Sequence, residues 1–311
     1  MKKALLCLLL LVLLAAATLY LFPATLLASL QWFDRTRAGL TEKTLRVDDL
    51  DIRYYEGGPQ DAETILLVHG FGADKDNWPR FARFLTSHYH VLAVDLPGFG
   101  DSSQPPSISY DVGTQAERLV DFTQALGIGR LHLVGNSMGG HIVALFAARH
   151  PQQVFSLALF DNAGVEAPQR SVFFQRLYAG QANPLVVSRP EDFPPLLDLV
   201  FHTRPPLPAR LRDYLSERAV ERSGLNAAIF EQLRDRYIPL EPELPRITAP
   251  TLLLWGDQDQ ILDRSSIEVM KPLLRQPSVV VMEDCGHVPM IERPEETARH
   301  YLAFLAGLPR R

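Results

Sequence analysis

Cysteine and basic charge are both scarce in this sequence of 311 residues. Of its two cysteines, Cys7 lies in an apolar run that we expect to sit in lipid, so no structural disulfide with Cys285 is predicted. Lysine and arginine number 31 against 36 acidic residues, which leaves no basic stripe for a phosphate backbone and excludes nucleic acid as a partner. The sequence also lacks zinc-type spacing, a phosphate-binding P-loop and internal repeats, which argues against a zinc domain, a nucleotide triphosphatase and a solenoid.

The N-terminus holds a long apolar run. After Lys2 and Lys3, residues 4–22 carry no charge, and the next charged side chain is Asp34. About 20 apolar residues cross a bilayer as a helix, so we expect a retained single-pass anchor. A secretory signal peptide cleaved near the small residues 15–17 is the alternative. The two lysines place the N-terminus in the cytoplasm and the rest of the chain on the outer, periplasmic side of the inner membrane.

The apolar character continues beyond that cleavage site, which favours the anchor over the signal peptide. We expect residues 4–33 to contact the membrane, with Trp32 and Phe33 at the interface between lipid and water. The small residues 15–17 would let two such helices pack closely, so a homodimer is possible.

From about Leu45 onward, short aliphatic runs alternate with segments of helical pattern. The alternation of residues 45–56 predicts a hairpin. Further aliphatic runs lie at 64–70, 90–100, 130–136, 154–164, 251–259 and 278–286, and the helical patterns lie at 112–126, 138–150, 264–275 and 294–306. Strands that are apolar on both faces and separated by helices are typical of a parallel sheet covered on both sides. The sequence therefore predicts a doubly wound, mostly parallel α/β domain.

The alternation fails between about Val165 and Pro250, where many prolines lie among helix-like pieces. Long insertions at the active edge of such a sheet are usually functional, so we interpret this one as a helical cap inserted after strand six. A helical elaboration without a role is the alternative. The predicted division is 1–38 for the membrane and juxtamembrane segment, 39–164 with 246–311 for the core, and 165–245 for the cap.

One serine stands between a predicted strand and a predicted helix in the pattern G-x-S-x-G, residues 135–139. At such a turn small neighbours permit a strained serine backbone, and the hydroxyl is lifted clear of the sheet. Ser137 is therefore the candidate nucleophile, with a helix N-cap as the alternative role. The N-terminus of the following helix places the Met138 amide where it can stabilise negative charge on a substrate oxygen.

A serine nucleophile needs a base, and the base needs an orienting carboxylate. His287 follows an apolar strand in a glycine-containing loop before a helix, which makes it the candidate base. Asp259 follows the strand TLLLW and fits the chain order serine, acid, histidine, so it is the candidate acid. Asp161, at the end of the preceding strand, is the rival acid.

The second oxyanion donor is expected in the loop HGFG, residues 69–72, which follows the first parallel strand. Its two glycines free the backbone to point amides inward. We choose the Phe71 amide, with Gly72 as the alternative, and expect His69 to brace its own loop.

The motifs HGFG, DLPGFGDS, GNSMGG, WGDQDQ and CGHVPMIERPE, in this order, resemble the α/β-hydrolase superfamily. More narrowly, the sequence resembles bacterial lipases and esterases, membrane-bound monoacylglycerol lipases and membrane-anchored phospholipases A. This resemblance implies Ser137 as nucleophile, Asp259 as acid, His287 as base, and the amides of Phe71 and Met138 as the oxyanion hole. It also implies that the chain needs neither a metal nor an organic cofactor.

The expected function is ester hydrolysis through an acyl-enzyme. An apolar cap beside a membrane anchor favours acylglycerols or (lyso)glycerophospholipids as substrates, with short-chain esters as the simpler possibility. The apolar cap residues in question are Phe173, Phe174, Leu177, Leu196, Leu197, Leu199, Val200 and Phe201. Carbon–carbon bond hydrolases of the meta-cleavage type also carry GNSMGG and are one alternative. A non-enzymatic binder on the same scaffold is the other.

Overall fold

The computed structural model describes Leu5, Thr18 and residues 21–308. Most of the predicted anchor, residues 4–22, therefore lies outside the described residues. No helix in the described part of the chain is both long and apolar enough to cross a bilayer. The predicted anchor and the predicted homodimer both stay predictions.

A mixed sheet of eight strands forms the centre of the described structure. Its strands in chain order are β1 (Leu40–Val47), β2 (Leu50–Gly57), β3 (Thr64–Val68), β4 (His90–Val94), β5 (Leu131–Asn136), β6 (Val154–Phe160), β7 (Thr251–Gly256) and β8 (Pro277–Met282). In space the order is β1-β2-β4-β3-β5-β6-β7-β8. β2 pairs antiparallel with both of its neighbours, and all pairs from β4 to β8 are parallel. The predicted mostly parallel α/β sheet is confirmed.

Helices lie on both faces of this sheet. In chain order the described helices are α1 (Pro23–Arg37), α2 (Pro79–Ala82), α3 (Val112–Ala125), α4 (Met138–Arg149), α5 (Val172–Tyr178), α6 (Phe193–Val200), α7 (Ala209–Glu221), α8 (Ser223–Asp235), α9 (Ser266–Met270), α10 (Pro289–Glu292) and α11 (Pro294–Ala306). Single 3₁₀ turns occur at Lys75–Asn77, Pro151–Gln153, Pro190–Asp192 and Leu244–Arg246.

The two faces of the sheet form two separate apolar cores. In β3, Leu66 and Val68 pack with side chains of α3 and α4, whereas Ile65 and Leu67 pack with side chains of α2 and α11. Successive side chains of a strand point to opposite faces, so a strand covered on both sides must be apolar throughout. This double burial is the physical reason for the continuous aliphatic runs in the sequence.

Two elements differ from the sequence-based expectation. The helix predicted over 264–275 is reduced to α9, which ends at Met270 because Pro272 lacks the amide hydrogen that would continue the helical hydrogen bonds. β8 was expected to be buried on both faces, but it is the edge strand of the sheet. Its Val279 and Val281 side chains are 38% and 41% exposed.

The helices α5 to α8 are inserted between β6 and β7. They contact loops of the sheet directly: the ring of Phe230 in α8 meets Phe71 edge to face at 5.6 Å, and the Arg222 guanidinium donates to the Gly98 carbonyl at 3.1 Å. The division of the chain into a core and a cap domain stays a prediction.

Candidate active site

Ser137 occupies a sharp turn between β5 and α4. Its backbone has φ 56° and ψ −122°, a conformation that costs a non-glycine residue about 1–3 kcal/mol. The turn is held by a hydrogen bond from the Ser137 amide to the Phe160 carbonyl (3.0 Å) and by one from the Ala163 amide to the Ser137 carbonyl (3.0 Å). A Cβ on Gly139 would lie 2.3 Å from the Val68 carbonyl oxygen, so only glycine allows α4 to start this close to β3.

His287 and Asp259 form a buried hydrogen-bonded pair. Nδ1 of His287 lies 2.8 Å from Oδ2 of Asp259, and the two side chains are 6% and 1% exposed. The other carboxylate oxygen, Oδ1, accepts the amides of Ile261 (2.7 Å) and Leu262 (3.0 Å). With the proton of Nδ1 directed at Asp259, Nε2 is left as the ring nitrogen that can accept a proton.

The loop of His287 is tied to the serine turn by a side chain that donates to main-chain carbonyls. Asn136, directly before Ser137, donates from Nδ2 to the His287 carbonyl (2.9 Å) and to the Phe160 carbonyl (3.1 Å). The His287 amide donates to the Val200 carbonyl at the end of α6 (2.9 Å). Among the described residues no hydrogen bond joins the Ser137 hydroxyl to His287, and bonds of this kind often tighten only when substrate binds.

The amides of Met138 and Phe71 are both available to an incoming oxygen atom. Met138 is the first residue of α4, whose first intrahelical bond runs from the His141 amide to the Ser137 carbonyl (3.1 Å). Within the part of the chain that the structure describes, neither the Met138 amide nor the Phe71 amide has a recorded acceptor. The HGFG loop runs against the serine, since a Cβ on Gly70 would lie 3.0 Å from the Ser137 Cβ.

His69 holds this loop in place. It is fully buried, with Nδ1 2.7 Å from the Gly70 carbonyl oxygen and Nε2 accepting the Leu96 amide at 3.1 Å. Burial lowers the pKa of His69, which keeps the ring neutral, as an accepting Nε2 requires.

The rival acid, Asp161, lies at the same site. It follows β6 with φ 44°, is fully buried, and accepts the Gly256 amide at Oδ1 (2.8 Å). One oxygen of Asp161, one of Asp259 and a ring nitrogen of His287 all lie within 4.8 Å of one another. The recorded hydrogen bond of His287 is to Asp259, and Asp161 is a second carboxyl group behind that pair.

The same three atoms are close enough together to ligate one metal ion. However, Nδ1 of His287 is already hydrogen-bonded to Oδ2 of Asp259 at 2.8 Å, and the second oxygen of Asp259 accepts two amides. A cation there would have to displace the hydrogen bond that orients the ring. We therefore assign the cluster to hydrogen bonding and acid–base chemistry.

Sequence reasoning assigned no role to Glu292, the last residue of α10. Its Oε2 accepts the amides of Gly286 (3.0 Å) and His202 (3.2 Å), and its Oε1 accepts the Thr203 amide (2.7 Å). One carboxylate thus binds the loop before His287 to the chain that follows α6. The available signal was its place in the motif CGHVPMIERPE, but two of its three partners, His202 and Thr203, are about 90 residues away in sequence.

The chain was compared with known proteins. A family model described as the alpha/beta hydrolase fold matches residues 63–294. Lipase 1 of Psychrobacter immobilis is 38% identical over 277 residues, covering 88% of this chain and 86% of that protein. Monoacylglycerol lipase ABHD6 of Mus musculus is 31% identical over 304 residues, covering 94% of this chain and 90% of that protein.

A solved structure supports the same family as these relatives. The crystal structure of a membrane phospholipase A, described as a bacterial virulence factor, is 66% identical with a TM-score of 0.91, covering 99% of both chains. This chain belongs to the α/β-hydrolase fold family and is an ester hydrolase.

Proposed function

We propose that this chain is a membrane-anchored serine ester hydrolase that releases fatty acids from acylglycerols or (lyso)glycerophospholipids. The observation that carries the proposal is the buried hydrogen bond between His287 and Asp259, in a loop tied to the turn that presents Ser137. Each member of this group has a chemical role that the others make possible.

The proposed reaction proceeds in two steps through an acyl-enzyme. Nε2 of His287 takes the proton of the Ser137 hydroxyl as Oγ attacks the carbonyl carbon of the ester. The amides of Phe71 and Met138 donate to the oxyanion, and His287 returns the proton to the departing alcohol oxygen. A water molecule deprotonated by His287 then attacks the acyl-enzyme, and the fatty acid leaves as Ser137 regains its proton. Asp259 stays ionised and stabilises the imidazolium of each step.

The preference for an acyl chain is supported by the apolar surroundings of the acid. Ile261 and Leu262, which bind the Asp259 carboxylate through their amides, place their side chains in a cluster with Phe173 and Leu199 of the inserted helices. Phe230 joins this cluster to Phe71 of the oxyanion loop through ring contacts with Phe173 (6.3 Å) and Phe71 (5.6 Å).

An apolar wall that runs from the acid to the oxyanion loop suits the burial of a hydrocarbon chain. The names of the similar proteins, lipase, monoacylglycerol lipase and phospholipase A, support the same substrate class.

The test is fatty-acid release by the full-length protein in detergent. The substrates are a monoacylglycerol, a lysophospholipid, a diacyl phospholipid and a short nitrophenyl ester, and the variants are Ser137→Ala and Ser107→Ala. Ser107 is an exposed serine for which no hydrogen bond is recorded among the described residues, so its variant is the matched control. We expect Ser137→Ala to lower the rate by about 10⁴-fold or more, because triad members act as a unit.

Three results would contradict the proposal in different ways. Unchanged lipid hydrolysis by Ser137→Ala would remove Ser137 as the nucleophile. Serine-dependent cleavage of the short ester alone would keep the hydrolase but exclude the lipid substrates. Turnover of a soluble diketo acid in place of every ester would favour the carbon–carbon bond hydrolase.

The proposed membrane anchor has its own test. We expect the full-length chain to sediment with membranes, to resist washing with high salt, and to be released by detergent. Deletion of residues 1–22 should move the protein into the soluble fraction. Recovery of the intact full-length chain in the soluble fraction would contradict the anchor.

A further inference from the structure

Asp161 is a buried carboxyl group with too few partners for a charge. Its side chain is fully buried, Oδ1 accepts one amide, that of Gly256 at 2.8 Å, and Oδ2 has no hydrogen-bond partner in the described structure. No ion pair of Asp161 is recorded among the described residues. A buried carboxylate ordinarily has a cation or several donors, because the cost of removing its charge from water is large. An ionised Asp161 would therefore be strongly unfavourable here.

The ionisable groups around Asp161 add to this cost. It faces Asp259 after β7, His287 and Cys285 in the loop after β8, and Glu292 in α10. Two of these neighbours are carboxylates. Because two adjacent carboxyl groups in a buried site cannot both ionise cheaply, the pair of Asp161 and Asp259 is expected to share one negative charge and one proton.

The recorded donors decide which member of the pair is ionised. Asp259 accepts three hydrogen bonds, from His287 Nδ1 and from the amides of Ile261 and Leu262, whereas Asp161 accepts one. Hydrogen bonds donated to a carboxylate stabilise its charged form. The negative charge therefore belongs to Asp259 and the proton to Asp161.

We propose that Asp161 is a positioning residue that is protonated in the resting enzyme and donates its Oδ2 hydrogen to Asp259. The donated bond holds the Asp259 carboxylate ionised and oriented toward His287, and it supplies the partner that Oδ2 otherwise lacks. This inference rests on the proposed roles of Asp259 and His287. Burial, followed by the charge of Asp259, raises the pKa of Asp161 well above its ordinary value of 3.8, in agreement with a protonated group.

A neutral Asp161 also matters for proton return. In the first half-reaction His287 takes a proton from Ser137 and gives it to the departing alcohol, and in the second it takes a proton from water and gives it to Ser137. A second negative charge next to the ring would stabilise the imidazolium and so slow its release of the proton. The proton on Asp161 avoids this while keeping a polar contact with Asp259.

The test compares Asp161→Asn with Asp161→Ala, using the pH dependence of kcat/KM on a short, soluble nitrophenyl ester. Asparagine can donate from Nδ2 to Asp259 and accept the Gly256 amide at Oδ1, so it copies the neutral acid. We expect Asp161→Asn to stay within about twofold of wild type with an unchanged acidic limb. Asp161→Ala should lower kcat about tenfold with KM little changed, because the loss of one hydrogen bond misplaces Asp259.

Two kinetic outcomes would overturn the inference. An acidic limb that moves to lower pH by about one unit in Asp161→Asn would show that an ionised Asp161 had been stabilising the imidazolium of His287. A wild-type kcat in Asp161→Ala would show that no positioning bond exists.

Infrared spectroscopy gives a readout that does not depend on activity. At neutral pH we expect wild type and Ser137→Ala to show a carbonyl band of a protonated carboxylic acid that Asp161→Asn lacks. The band is read from the difference spectrum against Asp161→Asn, in which the contribution of the partly protonated Asp76 cancels. Absence of that band from wild type would overturn the inference, even if Asp161→Ala fails to fold. Because the band is measured without substrate, a failure of this inference is distinct from a failure of the proposed ester hydrolysis.

Discussion

Glu292 provides a direct test of how the catalytic histidine is held. Its carboxylate accepts three amides, at 3.0, 3.2 and 2.7 Å, and so joins the loop before His287 to the segment after α6. In Glu292→Ala these three amides lose their shared acceptor. Hydrogen bonds to a charged acceptor contribute about 1.5–3 kcal/mol each in a buried setting and about 1 kcal/mol where water can replace them.

The expected loss of stability follows from the exposure of the three donors. Two of them belong to His202 and Thr203, which are exposed, and the third belongs to the buried Gly286. About 1 kcal/mol for each exposed donor and about 2 kcal/mol for the buried one gives a loss of about 4 kcal/mol. In a chain of this size about 1 kcal/mol corresponds to about 2 °C, so Tm should fall by about 8 °C.

The assay is thermal unfolding together with the kinetics of ester hydrolysis. Because His287 directly follows Gly286 and its loop is no longer anchored, we expect a fall in kcat larger than any change in KM. Glu295→Ala is the control, since Glu295 is exposed in the first turn of α11 and no hydrogen bond to its side chain is recorded in the described structure. A Tm change in Glu292→Ala no larger than that of Glu295→Ala would refute the reasoning.

Two further predictions concern the sharp turn at Ser137 and the pH dependence of the free energy of unfolding. Gly139→Ala should destabilise the fold by several kcal/mol, because its Cβ would lie 2.3 Å from the Val68 carbonyl oxygen. Gly224→Ala, with open space around it in α8, should stabilise the fold by about 0.5–1 kcal/mol. Denaturant unfolding measures both changes, and equal effects would contradict the packing argument. Burial and the neighbouring Asp74 raise the pKa of Asp76 from 3.8 to about 7, so its stabilising contribution is complete below about pH 4 and is lost as pH rises through about 7. Asp76→Asn should therefore remove a decline of up to about 1.4 kcal/mol per pH unit from the unfolding free energy measured between pH 4 and 7, and an unchanged pH dependence would refute this assignment.

Local sequence patterns were sufficient to predict the sheet and the serine turn. Continuous aliphatic runs indicated strands covered on both faces, and the two apolar cores around β3 show why such runs are required. The small residues around Ser137 indicated a strained turn, and in the structure the carbonyl groups of Val68 and His69 leave no room for a side chain at position 139. These features depend on neighbours in the chain, so their spacing is visible in the sequence.

Local patterns failed where the environment of an element depends on distant parts of the chain. The valines of β8 have the composition of a buried strand, but its position at the edge of the sheet leaves two of them partly exposed. Glu292 was assigned no role from the sequence, because two of its three amide partners lie about 90 positions away. Neither feature has a local signal.

Asp161 and Asp259 show most clearly which features the sequence predicts and which depend on the tertiary structure. Asp161 and Asp259 both follow strands of the sheet at its carboxyl edge, and spacing in the sequence offers each of them as a partner for His287. The sequence by itself determined the residue types and the strands that bring them to one edge. Only the tertiary structure decided that His287 is hydrogen-bonded to Asp259. It also decided that Asp161 lies behind this pair and accepts the amide of Gly256, 95 residues away. The physical reason is that a hydrogen bond depends on the positions of two atoms to within a fraction of an ångström, which the packing of the whole sheet sets.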